Sequence, residues 1–142
     1  PQERAGGSHE PRVALLVETI TPRGSVVVAN THLDASREDH YRIQEVATLL
    51  EKVIAHRPTP LIVGGDFNAE PDSAVYTRVV RSRLRDSWAA CGAGTGLTYP
   101  AGTPVKRIDY LFVAPHLQCA SAKVIETEVS DHRPLLVELT VR

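Results

Sequence analysis

The sequence predicts an α/β fold, a mixed and mostly antiparallel sheet with helices on one face. Three observations predict it. Short runs of β-branched and aliphatic residues, VALLVETI (13–20), VVVANTHL (26–33), LIVGG (61–65), RIDYLFV (107–113) and PLLVELTV (134–141), read as strands. Ile43, Val46, Ala47, Leu50, Val53 and Ile54 recur at the spacing of one helix face. The two patterns interleave in the order β-β-α-β-α-β-β-β, as in a layered domain.

Taken in order, residues 1–12 form a polar, glycine-containing lead-in, and the domain spans 13–142. The first two strands flank TPRG (21–24), a Pro-Gly turn that closes a hairpin. Both of their faces carry apolar residues, so both are expected to be buried. Ser36 opens the long helix, with Asp39 three residues later completing a capping box. Glu38 and Asp39 at its start, and Lys52, His56 and Arg57 at its end, suit the helix dipole. Pro58 and Pro60 stop it. LIVGG is a short buried strand, and GDFNAEPDS leaves its end as a loop. A shorter helix covers 73–82, entered through Pro71-Asp72-Ser73. Residues 85–104 read as loop with little regular structure. A weaker strand covers roughly 118–127, and the last alternating run closes the chain.

At 142 residues this is one domain or a piece of one. With 42% hydrophobic and 23% charged residues, it has the composition of a globular chain with a core. A net charge of -1 excludes a global basic field for nucleic acid. Cys91 and Cys119 lack CxxC spacing and read as buried thiols in preference to a disulfide. There is no apolar run long enough to span a membrane and no signal-peptide pattern. The chain has no methionine and begins at Pro1, so it reads as a processed product or a fragment of a longer reading frame.

Four strand ends carry polar residues that a core does not need. They are Asn30 and His32 in VVVANTH, Asp66 and Asn68 after LIVGG, Asp109 inside RIDYLFV, and Ser130-Asp131-His132 before the last strand. Open α/β sheets place their sites at strand ends, so these are expected to converge. Taken singly, each has a structural explanation: Asp66 and Asn68 as turn residues, His32 as a satisfied histidine. Asp109 demands more, because a carboxylate in a buried strand needs a donor or a charged partner. Oxygen ligands without cysteine suit Mg²⁺ or Mn²⁺. The chemistry suggested is metal-assisted hydrolysis of a phosphate ester. In that reading His132 is a base, Asp109 holds its other ring nitrogen, and Asp66 and Asn68 position water or phosphate. His32 donates to a phosphoryl oxygen.

NTHLD (30–34), GGDFNAEPDS (64–73), RIDYLFV (107–113) and SDHRPLL (130–136) resemble the motifs of the endonuclease/exonuclease/phosphatase superfamily, the deoxyribonuclease I-like metallophosphoesterases. They occur in the family's order and cover nearly the whole chain from about residue 13. The resemblance implies a phosphate-contacting histidine at His32 and a nucleophile- and metal-associated pair at Asp66 and Asn68. It further implies a histidine-orienting carboxylate at Asp109, a metal- or water-associated carboxylate at Asp131, and the catalytic histidine at His132. Asn30, His32 and Asn68 would contact substrate, and Asp66 and Asp131 the metal. The implied fold is a four-layered α/β sandwich of two similar halves.

The chain departs from that pattern in one respect. The asparagine and the metal-binding glutamate of the family's first half are absent, and Gln44-Glu45 falls within the long helix. The chain therefore resembles the C-terminal half of such a domain. The missing half, or a partner subunit, is expected to cover an apolar sheet face. A half-domain that binds without cleaving is the alternative reading. A calcineurin-like hydrolase fits less well, because Ala69-Glu70-Pro71 follows GDFN where that class expects further ligands. No GxSxG, P-loop or HExxH is present. The substrate is a phosphate ester whose remaining part, lipid head group, sugar phosphate or nucleic acid, stays open. The lack of a basic footprint favours a small or lipid-type phosphodiester. Arg78, Arg81 and Arg85 read as a solvated helix face, and Tyr99 and Lys106 as the rim of the pocket.

Overall fold

A computed structural model describes residues 11–56 and 60–141. Most of the lead-in, and the helix stop at Arg57 and Pro58, lie outside the described residues. The strands are β1 (Ala14–Thr21), β2 (Gly24–His32), β3 (Leu61–Asp66), β4 (Arg85–Asp86), β5 (Asp109–Val113), β6 (Leu117–Val124) and β7 (Leu135–Val141). The helices are α1 (His40–Thr48), continued by a π-helical stretch over Leu49–Ile54, α2 (Ala74–Val80) and α3 (Ser87–Cys91). Five strands form one sheet in the order β1-β2-β3-β5-β4, and β6 and β7 form a separate antiparallel pair. Among the described residues of this sheet only β2 and β3 run parallel, which leaves it mixed and mostly antiparallel.

Alternation along the strands explains the core. Val27 and Ala29 on β2, Leu61 and Val63 on β3, and Tyr110 and Phe112 on β5 share one face. Against that face pack Val46, Leu49 and Ile54 of the long helix and Val75 and Val79 of α2. Phe67, just past β3, meets Tyr110 and Phe112 edge-on at 5.7 and 5.2 Å between ring centres. The opposite face is covered only in part. β7 packs near β5, whereas Leu15 and Val17 on β1 stay 62% and 51% exposed. β1 is an edge strand, so the expectation that both hairpin strands are buried on both faces fails for it.

The long helix starts later than its capping box suggests. Asp39 is the N-cap without a side-chain cap bond, because its carboxylate receives Nε and Nη2 of Arg42 at 3.0 and 2.6 Å. Arg42 is buried and also donates to the carbonyls of Asp34 and Ser36. An ion pair with two further acceptors outcompetes a cap for that carboxylate. α2 begins where expected, with Ser73 Oγ accepting from Tyr76 N at 3.1 Å.

Residues 85–104 hold more structure than their composition suggests. Asp86 caps α3 by accepting from Trp88 N, and its other oxygen takes Tyr76 Oη and Arg107 Nη1 at 2.8 and 2.7 Å. The Arg107 guanidinium lies over the Tyr110 ring at 4.8 Å. This buried pair docks α3 on β5, a long-range contact that no local spacing announces. Cys91 and Cys119 are not free thiols: they form a disulfide between α3 and β6, with Cα atoms 5.9 Å apart. Their 28-residue separation gave no sequence signal for it.

Gly65 is required where it stands. Its φ is +134°, and a Cβ there would sit 1.8 Å from the Thr31 carbonyl oxygen on β2. Gly65→Ala should therefore push β2 and β3 apart and cost roughly 3 kcal/mol or more of stability. Chemical denaturation measures this. A loss below about 1 kcal/mol would contradict the close approach.

Candidate active site

The sheet brings three candidate side chains into a row. In the β2–β3 register His32 pairs with Asp66, and in the β3–β5 register Asp66 pairs with Asp109. Lateral neighbours in a sheet point to the same face, so the row is fixed by backbone pairing. His32 Nε2 lies 3.4 Å from Asp66 Oδ2. The loop before β7 delivers His132 to the far end of the row. Its Nδ1 lies 2.8 Å from Asp109 Oδ2 and its Nε2 lies 3.8 Å from Asp66 Oδ2. Asp109, the first residue of β5, thus has the donor that its placement demanded.

Asn68 joins them by a turn and not by strand alternation. β3 ends at Asp66, and Asn68 adopts a left-handed φ of 48°. Its backbone N–H donates to Asp66 Oδ1 at 2.8 Å, and its side-chain amide donates to the Leu33 carbonyl at 3.0 Å. The turn role and the site role therefore coincide: the Asx turn spends one Asp66 oxygen and leaves the other facing both histidines.

His32, Asp66, Asn68 and His132 line a cleft of about 930 Å³. Its lining also includes Arg37, Arg42, Glu70, Asp72, Tyr99, Lys106 and Asp131. Asp131 faces the cleft but is not part of the tight group in which Asp66, Asp109 and His132 offer ligand atoms within 4.8 Å of one another. Asn30 lies on the His32 face of β2 but one residue pair further from the rim. With His32 it lines a smaller hollow of about 210 Å³ beside Val13 and Leu15, and it does not line the main cleft. Arg78, Arg81 and Arg85 are exposed and do not line the cleft.

Burial pushes the Asp66 carboxyl above its ordinary pKa. The charge of Asp109 pushes the same way, and the Asn68 N–H and the two histidines oppose it. Burial alone would lower the His132 pKa, but the hydrogen bond to Asp109 and the charges of Asp109, Asp66 and Asp131 overcome this and raise it. Two carboxylates held side by side, one of them destabilised in its ionised form, fit a site completed by a cation. The oxygen-rich donor set suits a hard divalent ion. Asp109 and His132 Nδ1 are already spent on each other, which leaves Asp66 as the freest ligand in the group.

The family model of the endonuclease/exonuclease/phosphatase family matches residues 4–132. The chain belongs to this family. It is 36% identical over 66 residues to carbon catabolite repressor protein 4 homolog 2 of Arabidopsis thaliana, a match covering 44% of this chain and 11% of that protein. Its fold resembles that of a conserved protein of unknown function from Enterococcus faecalis, with a TM-score of 0.77 and 25% identity, over 92% of this chain and 56% of the other. It also resembles a mannosyl-6-phosphatase from Bacteroides thetaiotaomicron, with a TM-score of 0.71 and 25% identity, over 82% and 51% of the two chains. The chain thus spans a little over half the length of these solved structures and far less of the curated relative. Family members are hydrolases of phosphate esters, and the family is generally dependent on divalent metal.

Thr98, Arg107 and Arg133 were not singled out from the sequence. RIDY and SDHR place arginines beside two of the site residues, and that adjacency was the available signal for Arg107 and Arg133.

The Asp66 shift has a sign that can be tested. A carboxyl whose folded pKa is raised contributes stability that is fully present below its unfolded value and is lost as pH rises through the folded value. Asp66→Asn should therefore raise the Tm at pH 7 by a few degrees, about 2–6 °C. The gain should vanish below about pH 3.5, where the wild-type carboxyl is protonated in both states. A destabilised variant at pH 7 would contradict the electrostatic reading. Separately, Asp109→Asn removes the largest influence raising the His132 pKa while burial persists. A ¹⁵N-histidine NMR titration of the metal-free protein should show the His132 pKa moving down, and an unchanged value would contradict the pairing.

Proposed function

We propose that this chain carries the hydrolytic centre of a divalent-metal-dependent phosphodiesterase, with His132 as general base oriented by Asp109. The observation that supports this reading best is the 2.8 Å bond between His132 Nδ1 and Asp109 beside an Asp66 carboxylate whose free oxygen faces the cleft. With Nδ1–H donated to Asp109, Nε2 is the ring atom left to take a proton from water. Asp109 stabilises the imidazolium that forms. Asn68 and Asp66 orient the attacking water and the phosphoryl group. His32, 56% exposed beside Asp66, donates to a phosphoryl oxygen. Asp66, with Asp131, would hold Mg²⁺ or Mn²⁺. When bound, that ion supplies neutralisation of the negative charge that develops on the phosphoryl oxygens.

The cleft supports a small substrate. Its cations, Arg37, Arg42 and Lys106, are matched by Asp39, Glu70, Asp72 and Asp131, so it offers no continuous basic track for a polyanion backbone. A small or lipid-type phosphodiester, or a sugar phosphate, fits this balance. A nucleic acid would have to be held mainly at the scissile group.

A second reading is favoured by the exposed stripe of Val13, Leu15 and Val17. Residues 13–142 would form the C-terminal portion of the family domain, and a further segment or a partner subunit would cover that stripe and complete the metal site. In that case the isolated chain binds phosphate esters and turns them over slowly or not at all.

Hydrolysis of bis(p-nitrophenyl) phosphate with Mg²⁺ or Mn²⁺, against an EDTA control, tests the first reading. Asp66→Ala or His132→Ala should cut turnover at least about a hundredfold while the circular dichroism spectrum stays that of the wild type. Full activity in either variant removes the assigned roles. Binding without turnover in the wild type supports the second reading.

A further inference from the structure

The hydrogen bond between His132 and Asp109 joins two pieces of chain that are also tied together behind the site. His132 lies in the loop between β6 and β7, and the residues on either side of it are pinned to the segment 98–101. Ala101 N donates to the Asp131 carbonyl, and Arg133 N donates to the Thr98 carbonyl, both at 2.8 Å. The Arg133 side chain repeats the contact, with Nε donating to the Ala101 carbonyl at 2.6 Å. Its Nη2 lies 3.6 Å from Glu126, which steadies the same loop.

Segment 98–101 is held in turn by the chain leading into β5. Thr98 N and Tyr99 N donate to the Lys106 carbonyl at 2.8 and 3.1 Å, and Lys106 N returns a bond to Tyr99 O at 2.9 Å. Thr98 is fully buried, and its hydroxyl accepts from Ile108 N at 3.4 Å, one residue before Asp109. The Tyr99 ring lies against the His132 ring, with centres 4.7 Å apart.

We infer that Thr98 and Arg133 are positioning residues that set the His132–Asp109 geometry. Thr98 contacts the neighbours of both members of the dyad and touches neither. One face of it registers against 106–108, which fixes the start of β5. Its carbonyl registers against Arg133, which fixes the backbone of His132. Arg133 locks the same loop through its side chain. A dyad built from two loosely joined loops would sample many separations. A shared buried residue restricts them, which is the condition for efficient proton transfer at one distance.

The inference rests on the hydrolytic reading above for its kinetic readout, and on geometry alone for its spectroscopic one. Arg133→Met removes the side-chain lock, and Thr98→Val keeps the shape but removes the hydroxyl. Each should lower kcat for bis(p-nitrophenyl) phosphate about tenfold or more with KM changed less than about twofold. Arg133→Lys should restore part of the loss. In an Asp109→Asn background the same substitutions should cost less than about twofold, because the geometry they protect is already lost. In ¹⁵N-histidine NMR, the Nδ1 proton signal of His132 should weaken in both variants and persist in Thr140→Val, a substitution on the exposed side of β7. Unchanged kcat and NMR signal in Arg133→Met would overturn the inference, as would losses that add fully to that of Asp109→Asn. If Thr98→Val does not fold, Arg133→Met and Arg133→Lys decide. A wild-type chain without turnover counts against the hydrolytic reading, and the NMR comparison still judges the clamp.

Discussion

Strand register is the constraint on which the site depends. β2, β3 and β5 are paired so that His32, Asp66 and Asp109 fall side by side at one rim of the sheet. A slip of one residue in either ladder would send one of them to the helix-packed face. The core holds the register. Val63 and Phe112 stand opposite each other on adjacent strands and are both buried beneath α2 and the long helix. Gly65 lets β3 approach the Thr31 carbonyl closely enough for the row to form. Apolar packing on one face of the sheet thus determines the distances between polar groups at its end.

That arrangement sets a cost against a use. Two neighbouring carboxylates repel, and burial adds to the cost of ionising Asp66. The protein offsets this only in part, with the Asn68 N–H on one oxygen and two histidines near the other. The residual imbalance is the property expected of a site that gains a cation during its working cycle. His132 has the opposite balance: three carboxylates raise its proton affinity, and Asp109 fixes which ring nitrogen is left for chemistry.

Local sequence carried part of this. The GDFN and SDH segments, the strand runs and the helix entry through Pro71-Asp72-Ser73 could be read directly, since each depends on residues within a few positions of one another. The convergence of His32, Asp66, Asp109 and His132 could be argued from strand ends, and the sheet brings them together as the argument required. What escaped depended on distant partners. The carboxylate of Asp39 goes to Arg42 because that arginine is buried and needs it, so the capping box is not made. Asp86 beside α3 is held by Arg107 some twenty positions away, and the disulfide joins α3 to β6. Asn30 keeps the parity of His32 but not its depth, since parity says which face and not how near the rim. The exposed face of β1 followed from its edge position, which the hydrophobic pattern of a single strand does not encode.

Paramagnetic broadening by Mn²⁺ in ¹H–¹⁵N spectra of the metal-bound chain tests the central claim most directly, because it locates the cation without assuming any reaction. The account predicts that sub-stoichiometric Mn²⁺ selectively broadens the amides around Asp66, Asn68, Asp109 and His132, and that excess Mg²⁺ restores them. Broadening centred instead on Glu70 and Asp72, which also line the cleft, or spread evenly over surface carboxylates, would contradict it.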